Sequence, residues 1–561
     1  MVEKDVTDTT IESVSGMVTA SGIHGRQLRE LIALLAYGTP QPLAVLIRES
    51  ALPRRSVEFL LQTAEPDLQR LDGTVQLRPE VRDSYIARFR LDAVRRTPTA
   101  DPVSATPDLL ARISRYISAG PAGQRDLDHV AATAETVVRR ALWLNRTYHL
   151  GGARLLCAGD HDLTSLAVAA VNPDVAITVV DLDERILEFI AAQAGADGYD
   201  IRCLFADFRL GIPATADGWA DLVVTDPPYT PEGVRLFLGR GLQTLRDRKN
   251  GRLVMAYGYS PREPELGRKV QEAIQDLSLV FEAILPNFNR YHGAQAVGSA
   301  SDLYVLQPTA RTWKTYERQL ARTRTNIYTH GTRSLEGEQN LVDVSLSEAV
   351  RDAASGPDAL PISVAIADGA VPAAHEVDLA MLMASGLPAS FQQRPMVVTA
   401  NLAADSGSWL LRALLAVNAD RVAVLLPNNH ADLVSESAQR DVTNLVRAKY
   451  SLRFRRSTPD GEHAIVEATS VDPGTPADGA WLVRQILDRA HGRIDNVWRE
   501  GLVRLSQSGP HSTLSKNEAR AVIRDAAKGL GALDSRLIDL PRHAIPELLA
   551  AVAASAELLI S

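Results

Sequence analysis

Five consecutive residues, Asp226-Pro227-Pro228-Tyr229-Thr230, close the apolar run Leu222-Val223-Val224. Such a run reads as a buried strand of a parallel sheet, and the loop after it puts a carboxylate at the strand's carboxyl end. Two prolines with fixed φ hold that loop rigid. Crevices outside strand carboxyl ends are where doubly wound α/β sheets bind ligands. A carboxylate there can hold a cationic amine, orient it and take its proton as a bond to nitrogen forms. A Pro-Pro turn after any strand gives the same string, so the assignment rests on what lies upstream.

Three further strands precede it, each ending in an acid. Leu155-Leu156-Cys157-Ala158 runs into Gly159-Asp160-His161-Asp162-Leu163-Thr164-Ser165, where a βα ligand turn belongs. Ala176 to Val180 ends at Asp181-Leu182-Asp183-Glu184; an acid at the end of a second strand accepts from ribose hydroxyls, which makes Asp181 the ribose candidate. Ile201 to Phe205 ends at Asp207-Phe208-Arg209, where a carboxylate can accept from an adenine amino group. Helical spacers such as Glu184 to Ala194 separate these strands, and acids in register at successive strand ends describe a nucleoside site. The single glycine at 159, in place of the G-x-G-x-x-G that admits a pyrophosphate, argues against a dinucleotide. An adenosyl-sulfonium ligand has no phosphate and fits that absence.

The Asp-Pro-Pro-aromatic loop is similar to that of enzymes that bring an amine to the electrophilic carbon of a sulfonium cofactor. More of the chain resembles one family, the bis-aminopropyl spermidine synthases or branched-chain polyamine synthases. Gly159 to Ser165 looks like the family's Gly-Asp-Asp-Asp-Leu-Thr-Ser turn, Asp181 to Glu184 like its second strand end, and Asp207 to Arg209 like its third. Asp226 to Thr230 resembles its Asp-Pro-Pro-x-Thr loop, and Asn287-Phe288-Asn289-Arg290-Tyr291 its late Asn-Phe-Asn-x-Tyr. Asp128-His129 and Thr133-Ala134-Glu135-Thr136 look like its approach to the first strand, so the resemblance covers roughly residues 110 to 310. His161 departs from it, standing where the family has the second acid of its triplet.

The resemblance implies a Rossmann-like, class I S-adenosylmethionine-type transferase core. The implied reaction moves an aminopropyl group from decarboxylated S-adenosylmethionine to a polyamine or related amine. Asp226, with Pro227 and Tyr229, is expected at the reacting nitrogen. Gly159, Asp160, Asp162, Asp181 and Asp207 are expected at the cofactor, Asp160 and Asp162 alternatively at distant ammonium groups. His161, Asn287, Asn289 and Tyr291 are expected at the acceptor, Asn287 and Asn289 alternatively fixing the site floor through side-chain hydrogen bonds. Tyr229 stacks on adenine or a cation, or simply packs in the core; His161 is an extra base or a solvated loop residue. Two other functions remain open. One is an S-adenosylmethionine-dependent amino-group methyltransferase of a small amine or nucleic acid, because Asp-Pro-Pro-Tyr also resembles loops that methylate base amines. The other is a winged-helix regulator with a nucleoside-sensing domain.

At 561 residues the chain has room for about three domains, and its 45% hydrophobic residues suffice for packed cores. A net charge of −8 argues against a nucleic-acid footprint and suits a cationic substrate. Its two cysteines, Cys157 and Cys203, fall in buried strands and read as inert thiols; no metal-ligand spacing occurs. The polar Met1 to Thr10 and the lack of an apolar run of eighteen residues point to a cytoplasmic protein without a membrane span. Residues 1–96 read as a winged helix, with helices Arg26 to Ala36, Pro42 to Glu49 and Pro53 to Glu65 and a wing at Thr74 to Leu77. Arg54 and Arg55 on its third helix are too few to call for DNA. After a linker, residues 108–325 form the catalytic unit and 340–561 a C-terminal α/β unit with a helical tail, and a homodimer is expected. In the C-terminal unit, Val397 to Asn401, Trp409 to Val417 and Val422 to Leu426 repeat the plan around Asp226, with Ala400 in its place. That is either a degenerate internal repeat or simply another βαβ unit. The apolar tail Ile545 to Ile560 needs a partner or the core.

Overall fold

The computed structural model describes residues 2–50, 52, 54–94, 103–260, 263–292, 299–320, 327, 344–366, 371–391, 395–403, 408–472, 474, 478–508 and 513–560. At the N-terminus, five helices (Val2–Ala20, Gly25–Tyr37, Leu43–Ser50, Arg54–Thr63 and Pro79–Phe89) pack with a small antiparallel sheet. Its strands are β1 (Gln41–Pro42), β2 (Leu68–Leu71) and β3 (Thr74–Leu77), in the order β1-β3-β2. The three helices and the wing strand expected from sequence fall within two residues of the observed ones, with Pro53 outside the described residues. The long helix Val2–Ala20 was not expected, because its first turns are polar; Ile11, Val14 and Val18 form its buried stripe.

The central sheet holds β4 (Arg154–Ala158), β5 (Ala176–Asp181), β6 (Ile201–Phe205), β7 (Leu222–Thr225), β8 (Arg252–Tyr257), β9 (Val280–Arg290) and β10 (Ala300–Gln307). Their order is β6-β5-β4-β7-β8-β10-β9, with β4 to β8 parallel and β10 antiparallel to both its neighbours. Side chains alternate between two cores, Leu155, Cys157, Val179 and Val224 facing one and Leu156, Ala158, Val180 and Val223 the other. Helices cover both faces, which is why these strands read as unbroken apolar runs. Strand order reverses at β4, so the carboxyl ends of β4 and β7 flank the crevice where such sheets bind ligands.

The C-terminal unit contains β11 (Val364–Ile366), β12 (His375–Val377), β13 (Val397–Asn401), β14 (Arg421–Pro427), β15 (Tyr450–Arg455) and β16 (His463–Ser470), ordered β12-β11-β13-β14-β16-β15. β11 to β14 are parallel and β16 is antiparallel to β14 and β15. This is the plan of the central sheet with no counterpart of β6, and β13 occupies the place of β7. The apolar tail, helix Ala544–Ile560, finds its partner in this unit's own core, where Ile545, Leu548, Val552 and Ala556 are buried beside Trp498. Cys157 and Cys203 are free, buried thiols. Among the described residues no helix is long and apolar enough to cross a membrane.

Candidate active site

The carboxyl ends of β4, β5, β6 and β7 open onto one cavity of about 720 Å³. Of the residues expected at a site, Gly159, Asp160, His161, Asp162, Asp181, Asp207, Asp226, Pro227, Tyr229 and Tyr291 line it. Asn287 and Asn289 do not. Asn289 is fully buried behind the wall, and Asn287 is an exposed residue with φ 53°, its N–H donating to Asp302 Oδ1 at 2.7 Å. Neither lines the cavity, which corrects the expectation of direct acceptor contact; Asn289 takes the alternative role, fixing the site through hydrogen bonds with Arg140 and Ser301.

The centre of the site is a side chain that the sequence reading missed. Thr133 caps the helix Ala134–Thr147, and Arg140 on that helix points inward with Val137, Ala141 and Leu144. Its guanidinium is buried and bridges two carboxylates: Nη1 donates to Asp162 Oδ2 at 2.7 Å and Nη2 to Asp226 Oδ2 at 3.0 Å. Nη2 also donates to the Tyr291 hydroxyl at 3.1 Å, and Nε to Asn289 Oδ1 at 2.7 Å. A charged residue on the apolar stripe of an amphipathic helix was the available sign, since a buried guanidinium demands acids or carbonyls around it.

Asp226 Oδ2 accepts from both Arg140 and Tyr291, the latter at 2.7 Å, while Oδ1 has no partner among the described residues. Burial pushes the Asp226 carboxyl up to about 7, the charge of Asp162 adding to the rise and Arg140 opposing it. Tyr229 donates to the Tyr291 hydroxyl at 3.1 Å and packs its ring edge-on to Tyr257, so its hydroxyl belongs to the same network. The rigid loop continues into Thr230, whose Oγ1 accepts from Gly233 N–H at 2.9 Å and caps the helix Pro231–Thr244. A Cβ at Gly233 would lie 2.8 Å from the Pro228 carbonyl, so this close turn needs glycine.

The turn after β4 uses its acids internally. Asp160 accepts from Thr164 N–H at 2.8 Å and Ser165 N–H at 3.1 Å, capping the helix Thr164–Val171, and burial raises its carboxyl to about 7. Asp162 divides itself between the Ala132 N–H, at 2.8 Å, and Arg140. Asp181 accepts one backbone N–H on each oxygen, from Asp160 at 2.9 Å and Asp183 at 2.8 Å, which leaves lone pairs for a ligand; burial raises it to about 6. Asp207 has no such capacity. Arg209 donates to both its oxygens and Trp409 Nε1 donates to Oδ2 at 3.0 Å, so an adenine amino group would find its lone pairs taken. His161 stacks on His129 with ring centres 4.4 Å apart, and its Nδ1 is buried without a hydrogen-bond partner. Burial lowers both imidazoles, and His129 beside it lowers His161 further.

An α/β sheet of this order, with acids at its strand ends and an Asp-Pro-Pro-Tyr loop at the reversal, is a Rossmann-like sheet of the methyltransferase type. Residues 108–351 match the family model for the Branched-chain polyamine synthase A C-terminal domain, so that stretch is similar to the branched-chain polyamine synthases. An uncharacterized protein of Methanocaldococcus jannaschii is 34% identical over 35% of this chain and 49% of its own. The N(4)-bis(aminopropyl)spermidine synthase of the same organism is 33% identical over 33% of this chain and 53% of its own. The chain thus spans about half the length of these curated relatives. The branched-chain polyamine synthase of Thermus thermophilus, solved with N4-aminopropylspermidine and 5′-methylthioadenosine, aligns at a TM-score of 0.33 and 19% identity, over 54% of this chain and 93% of its own.

The raised carboxyl has a consequence for stability. An unfolded Asp titrates near 3.9 and Asp226 near 7, so the folded protein keeps a proton that the unfolded chain releases. That contribution is complete below pH about 4 and lost as pH rises to about 7. Asp226→Asn removes it, so the difference in unfolding free energy between variant and parent should move in the variant's favour across that window and level off above. Urea titrations at a series of pH values read this directly, and a difference independent of pH would show that burial does not set the protonation of Asp226.

Proposed function

We propose that this protein is an aminopropyltransferase that moves an aminopropyl group from decarboxylated S-adenosylmethionine to a polyamine nitrogen. The observation that carries this reading is Asp226, held at the strand-order reversal through one oxygen while the other has no partner among the described residues. The curated relative named N(4)-bis(aminopropyl)spermidine synthase supports the substrate class. Asp181, with a lone pair left on each oxygen, would hold the ribose hydroxyls, and the Gly159 turn the region beside it. When bound, the donor supplies an electrophilic carbon beside a sulfonium.

The remaining work falls to the chain's own residues. Polyamines are largely protonated near neutral pH, and an ammonium has no lone pair with which to attack. Asp226 Oδ1 accepts from the neutral reacting nitrogen, orients its lone pair and takes the proton released as the carbon–nitrogen bond forms and the donor's carbon–sulfur bond breaks, the sulfur keeping that electron pair as 5′-methylthioadenosine leaves. A carboxyl near pH 7 is poised for this, since the proton can leave again to solvent. Arg140 and Tyr291 fix Oδ2, so the free oxygen presents a single direction. The Pro227 carbonyl would be a further acceptor for the amine. Tyr229 and Tyr291 close the wall behind it. Asp160 and Asp162 hold the turn and Arg140 in place rather than a distant ammonium group. We read the N-terminal helices and small sheet as a winged-helix module without a DNA role: Arg54, one of its two candidate arginines, pairs with Glu58.

Asp226→Asn is expected to cut turnover by about a hundredfold or more while leaving nucleoside affinity intact. Steady-state kinetics beside calorimetry with 5′-methylthioadenosine separates the two, and equal losses in both would remove Asp226 from the chemistry. Asp181→Ala should do the reverse, weakening 5′-methylthioadenosine binding by about 1.5–3 kcal/mol, the scale of a hydrogen bond to a charged group. Unchanged affinity would mean that another group holds the ribose. His161→Asp restores a negative charge beside the cavity and should tighten spermidine binding, with the gain shrinking as salt is added. No change at low ionic strength would place position 161 away from the acceptor.

A further inference from the structure

Two carboxylates, Asp207 lining the cavity and Glu184 three residues after Asp181, are held by residues of the C-terminal unit. The helix Trp409–Ala416 follows β13 and approaches the edge strand β6. Trp409 Nε1 donates to Asp207 Oδ2 at 3.0 Å, and the Arg209 guanidinium that grips the same carboxylate lies 4.9 Å from the centre of the Trp409 ring. One turn on, Arg412 is fully buried with its Cζ 4.1 Å from the centre of the Phe205 ring, and its Nη2 donates to Glu184 Oε1. The other oxygen of Glu184 accepts from the backbone N–H of Arg542 at 2.7 Å.

These contacts fall on the segment that walls the cavity. Phe205 pairs with Asp181 across β5 and β6, and the Ala206 N–H donates to the Asp181 carbonyl at 3.0 Å. Ala206, Asp207 and Phe208 line the cavity on one side while Trp409 and Arg412 back the same segment on the other. Glu184 opens the helix that follows Asp181, so its anchoring fixes the far end of the same strand exit. β6 lies three strands from β7 in the sheet, about 14 Å at the usual strand spacing. Movement of this wall therefore reaches a nucleoside long before it reaches Asp226.

We propose that Trp409 and Arg412 are positioning residues through which the C-terminal unit sets affinity for the donor's nucleoside, Trp409 acting through Asp207 and Arg412 through Glu184. The inference rests on the nucleoside site of the proposed function. It gives the C-terminal unit, which lacks an acid at the place of Asp226, a part in catalysis as the back wall of the donor pocket.

The test is calorimetric titration of the full chain with 5′-methylthioadenosine, for the parent, W409F, D207N and the double variant. W409F keeps a ring for Arg209 and removes the N–H donor, which loosens the wall that carries Asp207; 5′-methylthioadenosine affinity should fall by about two- to thirtyfold, the range for a residue that acts through another. In the double variant the loss should be no larger than in D207N alone, because Trp409 works through that carboxylate. The KM for spermidine should stay within about twofold of the parent, since a strand-end contact this far from β7 does not meet the acceptor. Affinity equal to the parent in W409F, or losses that add in the double variant, would overturn the proposal. R412Q provides the second handle on the same wall if W409F does not fold, and unchanged nucleoside affinity there would overturn it equally. A parent chain that binds no 5′-methylthioadenosine overturns the functional reading itself, which separates the two failures.

Discussion

One buried guanidinium organises this active site. Arg140 meets two carboxylates, an amide and a phenol contributed by the β4 turn, the β7 loop, β9 and the residue after it. Moving a charge out of water is costly, and it is offset only where hydrogen bonds of good geometry surround it. Here every arm of the fork has an acceptor, so the elements that carry those acceptors are held in one arrangement. Asp226 is fixed through Oδ2 while burial raises its pKa, and its other oxygen faces the cavity with no partner among the described residues. The pairing also explains why the acidic turn is less acidic toward ligand than it reads in sequence. Asp160 and Asp162 are consumed by a helix cap and by Arg140, leaving Asp181 and Asp226 with capacity to spare.

Most of the central sheet was legible in the sequence because buried parallel strands are short apolar runs, and four of the five here run into an acid. What escaped depends on contacts between distant parts of the chain. Arg140 belonged to a helix whose polar and apolar positions alternate conventionally except at that residue, and its acceptors lie up to about 150 positions downstream. Asn289 read as a substrate contact because it is polar and close in sequence to Tyr291; in the structure it faces the back of Arg140. Asp207 was assigned to adenine from its strand-end position, and the residue that fills its last lone pair is Trp409, over two hundred positions away. Neither periodicity nor spacing carries information of that range.

Among the described residues the C-terminal sheet repeats the strand order of the central one with a strand fewer, and β13, in the place of β7, ends at Asn401 rather than running into an acid. One surface of this unit is applied to β6 and the residues after it. Its tail helix closes its own core, so the unit is complete before it meets the catalytic sheet.

The central claim is that Asp226 serves amine alkylation from an adenosyl-sulfonium donor that has lost its carboxylate. Incubation of the purified chain with spermidine and either decarboxylated or ordinary S-adenosylmethionine, followed by mass spectrometry of both products, addresses it directly. The account predicts 5′-methylthioadenosine together with an aminopropylated amine, formed only with the decarboxylated donor. Release of S-adenosylhomocysteine and a methylated amine from the ordinary donor would contradict it.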